Sequence, residues 1–209
     1  MSHNKVYSTI SEKNNSFVWL IARTGSNHMV SILKHYDFKH YVHYDGKKEL
    51  YDEKLDAAHY CDFFDGSEKY DFISSIRNPY SLEVSMFRMN KLVENYKDEF
   101  KRFLDYRYFT RFGEKKPIIK FRRTPDFFIR MENLYEDYSK IPFIINSEYY
   151  QSGELKKQVE IKINDNIFDD RDWKEFYDDE SAEMVYSNNV EIFNLNHYDK
   201  DSYKIKSNE

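Results

Sequence analysis

The sequence predicts an α/β fold: a central parallel sheet of about four or five strands flanked by helices. Two stretches predict it. Phe17 to Ala22 is a run of six apolar residues that ends in the polar turn Arg23-Thr24-Gly25-Ser26-Asn27-His28 and then becomes helical. Tyr70 to Ile76 is a second short run, leading straight into Arg77-Asn78-Pro79-Tyr80. Each reads as a strand followed by a helix start, the alternation that builds parallel sheets.

Residues 1–15 are rich in Ser, Asn, Lys and Glu with no visible period, which predicts a mobile arm. The run from Phe17 is too short for an ordinary helix and fits a strand buried on both faces. After the turn, Met29, Ile32, Leu33 and Tyr36 mark the sheet-facing stripe of a helix. Phe38 to Tyr44 is a second strand candidate, with His40 and His43 near its end, and Gly46 breaks it. The charged stretch 47–68 is irregular, with a short helix over Leu50 to Ala57 and an isolated His59. In Arg77-Asn78-Pro79, Asn78 is an N-cap and Pro79 the first helical residue. The helix that follows presents Leu82, Met86, Met89, Val93 and Tyr96 as a stripe, with Ser85 on the same inward side. Another helix begins near Trp173 behind the acidic flank Asp169-Asp170-Arg171-Asp172. One domain is expected over 16–200, with a polar tail at 201–209.

Composition narrows the function classes. The chain has 209 residues, 40% of them hydrophobic, enough for one sizeable core. With 37 acidic against 32 basic residues the net charge is −5, which argues against general nucleic-acid binding, so any polyanion must be held by a local cluster. The single cysteine, Cys61, excludes an intramolecular disulfide and reads as a small packed side chain. Neither the polar start nor the run at 17–22 is long enough for a signal peptide or a bilayer span, so the expectation is a cytoplasmic protein without membrane partners.

The turn at 23–28 has the chemistry of an anion site. At a helix N-terminus free N–H groups and the positive end of the dipole favour negative charge, and Gly25 lets the backbone approach it. Arg23, Thr24, Ser26 and Asn27 add side-chain donors; on the plainer reading Ser26 and Asn27 cap the helix. The Walker pattern of a glycine and, four residues on, Gly-Lys-Ser/Thr is absent from the whole chain, which disfavours an ordinary ATPase or nucleotide kinase. Arg77 at a strand end, with Ser85 further along the helix, is suited to gripping a second phosphate.

Taken in order, Ala22-Arg23-Thr24-Gly25-Ser26 and Arg77-Asn78-Pro79-Tyr80 with Ser85 eight residues after the arginine resemble the motifs of the sulfotransferase superfamily, a P-loop-like fold. That family transfers a sulfuryl group from 3′-phosphoadenosine 5′-phosphosulfate (PAPS), leaving adenosine 3′,5′-bisphosphate (PAP). A third stretch, Phe127-Phe128-Ile129-Arg130-Met131-Glu132-Asn133-Leu134, is similar to the family's later strand and Glu-Asn-Leu helix start, and Ser181 to Phe193 to its terminal helix. Arg130 and Glu132 are expected to pair there.

The resemblance implies that Arg23, Thr24, Gly25, Ser26, Asn27 and His28 hold the 5′-phosphosulfate, and that Arg77 and Ser85 bind the 3′-phosphate. Arg23 would stabilise charge on the sulfuryl group, and His59 or His43 would take the acceptor proton, with no metal required. The acceptor would be a hydroxyl of a carbohydrate or small molecule. Asn27 stands where many members carry a second hydroxyl residue, Arg23 replaces the lysine of the cytosolic branch, and no Arg-Lys-Gly occurs near the C-terminus. A kinase-like phosphotransferase and a non-catalytic nucleotide- or partner-binding protein are the alternatives. The basic run Lys115 to Arg123 reads as solvated loop charge or as a contact for an acidic acceptor.

Overall fold

The computed structural model describes residues 6–21, 23–44, 47–52, 63–88, 96–110, 121–161 and 171–205. Its strands are β1 (Val6–Ser11), β2 (Ser16–Trp19), β3 (Lys39–Tyr44), β4 (Lys47–Asp52), β5 (Asp71–Ile76) and β6 (Phe127–Arg130). Its helices are α1 (Ser26–Leu33), α2 (Pro79–Phe87), α3 (Tyr96–Asp105), α4 (Leu134–Tyr138), α5 (Pro142–Ile145), α6 (Glu148–Gln151), α7 (Glu154–Glu160) and α8 (Asp179–Asn196). A π-helical turn, Tyr106–Thr110, follows α3. The chain divides into two compact units, 1–76 with 121–164, and 77–120 with 165–209.

The first unit holds the whole sheet, in the order β4-β3-β1-β2-β5-β6. Only β2, β5 and β6 run parallel. β1 lies antiparallel to both β2 and β3, and β4 antiparallel to β3, so the sheet is mixed rather than parallel. Two expectations fail here. Residues 6–11, predicted as part of a mobile arm, form the strand β1, and Leu50, predicted as helical, sits in β4. β1 hides its signal because three of its buried positions carry hydroxyls and only Ile10 among them carries hydrocarbon. Ser8, Thr9 and Ser11 are fully buried and stay satisfied by hydrogen bonds to His43, His40 and the Tyr36 carbonyl.

Alternation along β2 and β5 divides the core. Val18 and Ile73 face a cluster built with Met29, Ile32 and Leu33 of α1 and with Tyr138, Ile141, Ile144 and Leu155 of the α4–α7 stretch. Phe17 and Phe72 face the opposite way, stacked at 4.6 Å and joined by Phe64 and Tyr70. The period of two thus buries β2 and β5 on both faces, as their apolar runs require.

The second unit is helical. Asn78 Oδ1 accepts from the Tyr80 N–H at 3.0 Å and Pro79 opens α2, as the sequence predicts. The expected stripe of Leu82 and Met86 is not the face that meets the neighbouring helices of this unit. Tyr80, Val84 and Phe87 pack with Phe100 and Leu104 of α3 and Val185 and Phe193 of α8. From Pro79 to Ser85 every residue of α2 is buried, and a helix buried all round carries no polar face from which to read its orientation. Met89 and Val93 lie outside the described residues. The terminal helix appears as α8, with Asp178 and Ser181 forming a reciprocal cap. Asp172, from the acidic run, caps the 3₁₀ turn Trp173–Phe176 by accepting from the Lys174 N–H; Asp169 and Asp170 are outside the described residues. Residues 201–205, expected as tail, form a turn attached to α2. Among the described residues no helix is long and apolar enough to cross a membrane.

Candidate functional site

In the first unit the parallel strands bring their C-terminal ends to one edge of the sheet. Trp19 pairs with Ser74, and Ile76 with Arg130, so the turn after β2 and the segment after β6 emerge side by side around β5. Ligands of open α/β sheets gather at such edges. Arg77 is the next residue in the chain after Ile76.

The turn itself is backbone-driven. Arg23 and Gly25 both adopt left-handed conformations, with φ of 65° and 81°. Between them, Thr24 is fully buried, and its Oγ1 donates to the Ile21 carbonyl at 2.8 Å and lies 2.5 Å from Ser75 Oγ on β5. Thr24, expected to face the phosphosulfate, ties the turn to the neighbouring strand through these bonds. Gly25 closes α1 as its N-cap with no side-chain cap, so the first-turn N–H groups meet no capping side chain. Ser26 and Asn27 do not cap α1. Ser26 is buried at the helix start, whereas Asn27 is exposed. Arg23 is half-buried.

His28 belongs to the core side of α1. It is 5% exposed, its ring lies 6.3 Å from that of Tyr138, and burial lowers its pKa. A packed neutral imidazole replaces the ligand contact expected of it. His43 sits on β3, where its Nε2 is 2.6 Å from Ser8 Oγ and its ring stacks on Phe64 at 4.1 Å. Burial also lowers its pKa. Through β1, Val18 and His40 are both level with Thr9, so His43 lies at the same edge of the sheet as the turn after β2. His59, Ala22, Cys61 and the basic residues 115–120 lie outside the described residues.

In the second unit, the start of α2 is held by its side chains. Arg77 Nε donates to Ser81 Oγ at 2.7 Å, and that hydroxyl donates to the Asn78 carbonyl at 3.2 Å. Ser85, one turn further, is 8% exposed. Asn78 Nδ2 donates to Ser202 Oγ at 3.0 Å, and the Tyr80 hydroxyl donates to the Lys200 carbonyl at 2.8 Å. The C-terminal turn thus straps the beginning of α2. Hydropathy carries no signal for a polar strap of this kind.

At the end of β6, Arg130 pairs with Asp137. The Asp137 carboxylate accepts from the Arg130 N–H, Nε and Nη2 at 2.9, 2.8 and 2.7 Å, and from Lys140 Nζ at 2.7 Å. Burial alone would raise its pKa, but the hydrogen bonds from Arg130 and Lys140 outweigh it and hold the carboxyl below its ordinary value. A depressed carboxyl stabilises the fold above its unfolded pKa of about 3.9, and the contribution is lost as pH falls through the lower folded value. Asp137→Asn is expected to cost about 1–3 kcal/mol near neutral pH, with the difference from the parent shrinking below about pH 3.9. Urea titrations at several pH values check it; a penalty independent of pH would remove the charge from the explanation.

Ser75, Ser81 and Ser202 are contributors that motif reading misses. Only Ser81, four residues after Arg77, carried a usable signal, the spacing of one helical turn. No family model matches the chain, and no curated protein or solved structure matches it either.

Proposed function

We propose that the protein is a PAPS-dependent sulfotransferase acting on a hydroxyl of a carbohydrate or small molecule. The observation that supports this most is the placement of the two motifs. The Arg23–His28 turn follows β2 and Arg77 follows β5, two adjacent parallel strands, in the order that the resemblance requires. The uncapped first turn of α1 and the close approach allowed by Gly25 suit the 5′-phosphosulfate. Arg77 and Ser85 would take the 3′-phosphate.

In the reaction the acceptor oxygen attacks sulfur in line, the bond from sulfur to the bridging phosphate oxygen breaks, and PAP leaves with that electron pair. Arg23 holds the developing negative charge by fixed hydrogen bonds, since a guanidinium does not give up its proton. His59 or His43 accepts the acceptor proton. For His43, burial keeps the imidazole neutral at pH 7, the form a base requires. His59→Ala and His43→Ala separate the two: loss of turnover with nucleotide affinity preserved identifies the base.

Calorimetric titration of the protein with PAP, AMP and ATP, each with and without magnesium, tests the reading. Preference for PAP without magnesium is expected. Magnesium-dependent preference for ATP would replace the proposal with a phosphotransferase, and PAP binding without sulfuryl transfer to any acceptor would leave a nucleotide-binding protein. Arg77→Ala is expected to weaken PAP by roughly 10- to 100-fold while leaving AMP unchanged, because a charged hydrogen bond contributes about 1.5–3 kcal/mol. Equal loss for both nucleotides would take Arg77 out of that role.

A further inference from the structure

We infer that the second unit carries a binding site for a small aromatic anion, a planar ring bearing a phosphate, sulfate or carboxylate group, in a surface pocket lined by none of the residues assigned to PAP. The pocket has a volume of about 340 Å³ and is bordered by Tyr96 and Lys97 at the start of α3, Lys174 of the 3₁₀ turn, Tyr177, Tyr203 and Lys204. That volume lies in the range of small-ligand sites.

The sequence builds the pocket by one device used three times, an aromatic residue followed by lysine: Tyr96-Lys97, Trp173-Lys174 and Tyr203-Lys204. In each pair the ring packs against the buried aromatic cluster shared by α2, α3 and α8. On α3 and the 3₁₀ turn the next residue is rotated by about 100–120°, so the lysine stands beside the packed ring. Tyr177 is buried with its hydroxyl spent on the Tyr80 carbonyl at 2.8 Å, and the Tyr203 hydroxyl donates to Asp179 at 2.6 Å. Both therefore offer the pocket ring surface rather than a free hydroxyl. Ile205, 65% exposed, adds apolar area to the same wall.

The charges select an anion. Lys204 pairs with Asp201 at 2.8 Å, and the one lining carboxylate, Glu175, accepts the Asp172 N–H at 2.9 Å as part of a cap. Lys97 and Lys174 form no ion pair among the described residues, although the chain holds 37 acidic residues against 32 basic ones. Either lysine alone would be an ordinary solvated side chain. Two ammonium groups bordering one cavity repel until an anion lies between them, and tyrosine rings in the same cavity favour an anion that carries a ring to stack.

Calorimetric titration of the full chain with phenyl phosphate, inorganic phosphate, phenol and cyclohexyl phosphate tests the site. Phenyl phosphate is expected to bind roughly ten-fold more tightly than phosphate or phenol, and several-fold more tightly than cyclohexyl phosphate, whose ring cannot stack. Lys97 is exposed and Lys174 half-buried, so joint Lys97→Gln and Lys174→Gln substitution should keep the parent's circular dichroism. It should weaken phenyl phosphate by roughly ten-fold, the scale of two partly screened ion contacts, and leave phenol unchanged. In the parent, raising salt from about 50 to about 500 mM should weaken phenyl phosphate but not phenol. No binding at millimolar phenyl phosphate, binding undiminished in the double lysine variant, or equal binding of cyclohexyl phosphate would overturn the site. Arg77→Ala should leave phenyl phosphate binding unchanged; its loss there would put the ligand among the residues assigned to PAP and overturn the site as well. The readout uses neither PAP nor an acceptor, so the site and the sulfotransferase reading stand or fall separately.

Discussion

Arg107→Ala is expected to destabilise the protein by about 3–5 kcal/mol at pH 7, because it leaves a buried carboxylate without its counter-charge. Glu83 on α2 is fully buried. Its Oε1 accepts from Arg107 Nε at 2.8 Å and from the Tyr108 hydroxyl at 2.6 Å, while Oε2 accepts no hydrogen bond among the described residues. Burial raises the Glu83 pKa, with Arg107 and the Tyr108 hydrogen bond opposing the rise. A carboxyl whose folded pKa lies above its unfolded value binds protons more tightly when folded, so it costs stability as pH climbs from about 4.3 toward the folded value. Removing Arg107 raises that folded value further. The penalty should therefore be large at pH 7 and shrink toward about pH 4, below the unfolded pKa of about 4.3, where the unfolded chain is also mostly protonated. Denaturant titrations at the two pH values measure this. Adding Glu83→Gln to Arg107→Ala should recover most of the loss, since an amide keeps the Tyr108 bond and carries no charge. A penalty that is the same at both pH values and unrelieved by Glu83→Gln would mean that Arg107 matters for its packed stem alone.

The same cluster shows why part of this molecule is hidden from its sequence. Tyr108 reaches Glu83 from a π-helical turn, Tyr106–Thr110. Asn189, which donates to the Tyr108 hydroxyl at 3.0 Å, sits at a break in α8 with φ of −130° and ψ of 21°. Both irregularities bring polar groups to one buried carboxylate, and neither leaves a periodic trace, because hydropathy counts Glu83 as a surface residue. The apolar runs, by contrast, are legible: β2, β5 and the start of α2 at Asn78 follow from Phe17–Ala22, Tyr70–Ile76 and Asn78-Pro79. β1 is not, since Ser8, Thr9 and Ser11 are buried by pairing with histidines and a carbonyl that lie about 25–35 residues further along the chain. The candidate site divides in the same manner. Arg23, Gly25 and Arg77 are placed by strand ends that the sequence announces. Thr24 and His28 turn inward because of Ser75 and Tyr138, partners that no local pattern reveals.

Gly25→Ala is expected to cost about 2–5 kcal/mol, the sum of a left-handed backbone strain of about 1–2 kcal/mol and an overpacking cost of about 1–3 kcal/mol. Gly25 has φ of +81°, and a Cβ there would lie 1.9 Å from Met131 Sδ, so two separate constraints fall on one residue. The protein contains its own control. Gly66 has φ of +90° with nothing within 4 Å of its would-be Cβ, so Gly66→Ala reports the backbone cost alone. Gly25→Ala is expected to destabilise more than Gly66→Ala, and Met131→Ala to recover the difference but not the remainder. Equal penalties at the two glycines would leave conformation as the whole explanation and remove Met131 from the packing of the turn. Because β6 delivers Met131 to the turn that follows β2, the contact also couples the register of β6 to the shape of that turn. A stability loss at Gly25 accompanied by weaker PAP binding, against a loss at Gly66 without it, would show that this shape is what binds the nucleotide.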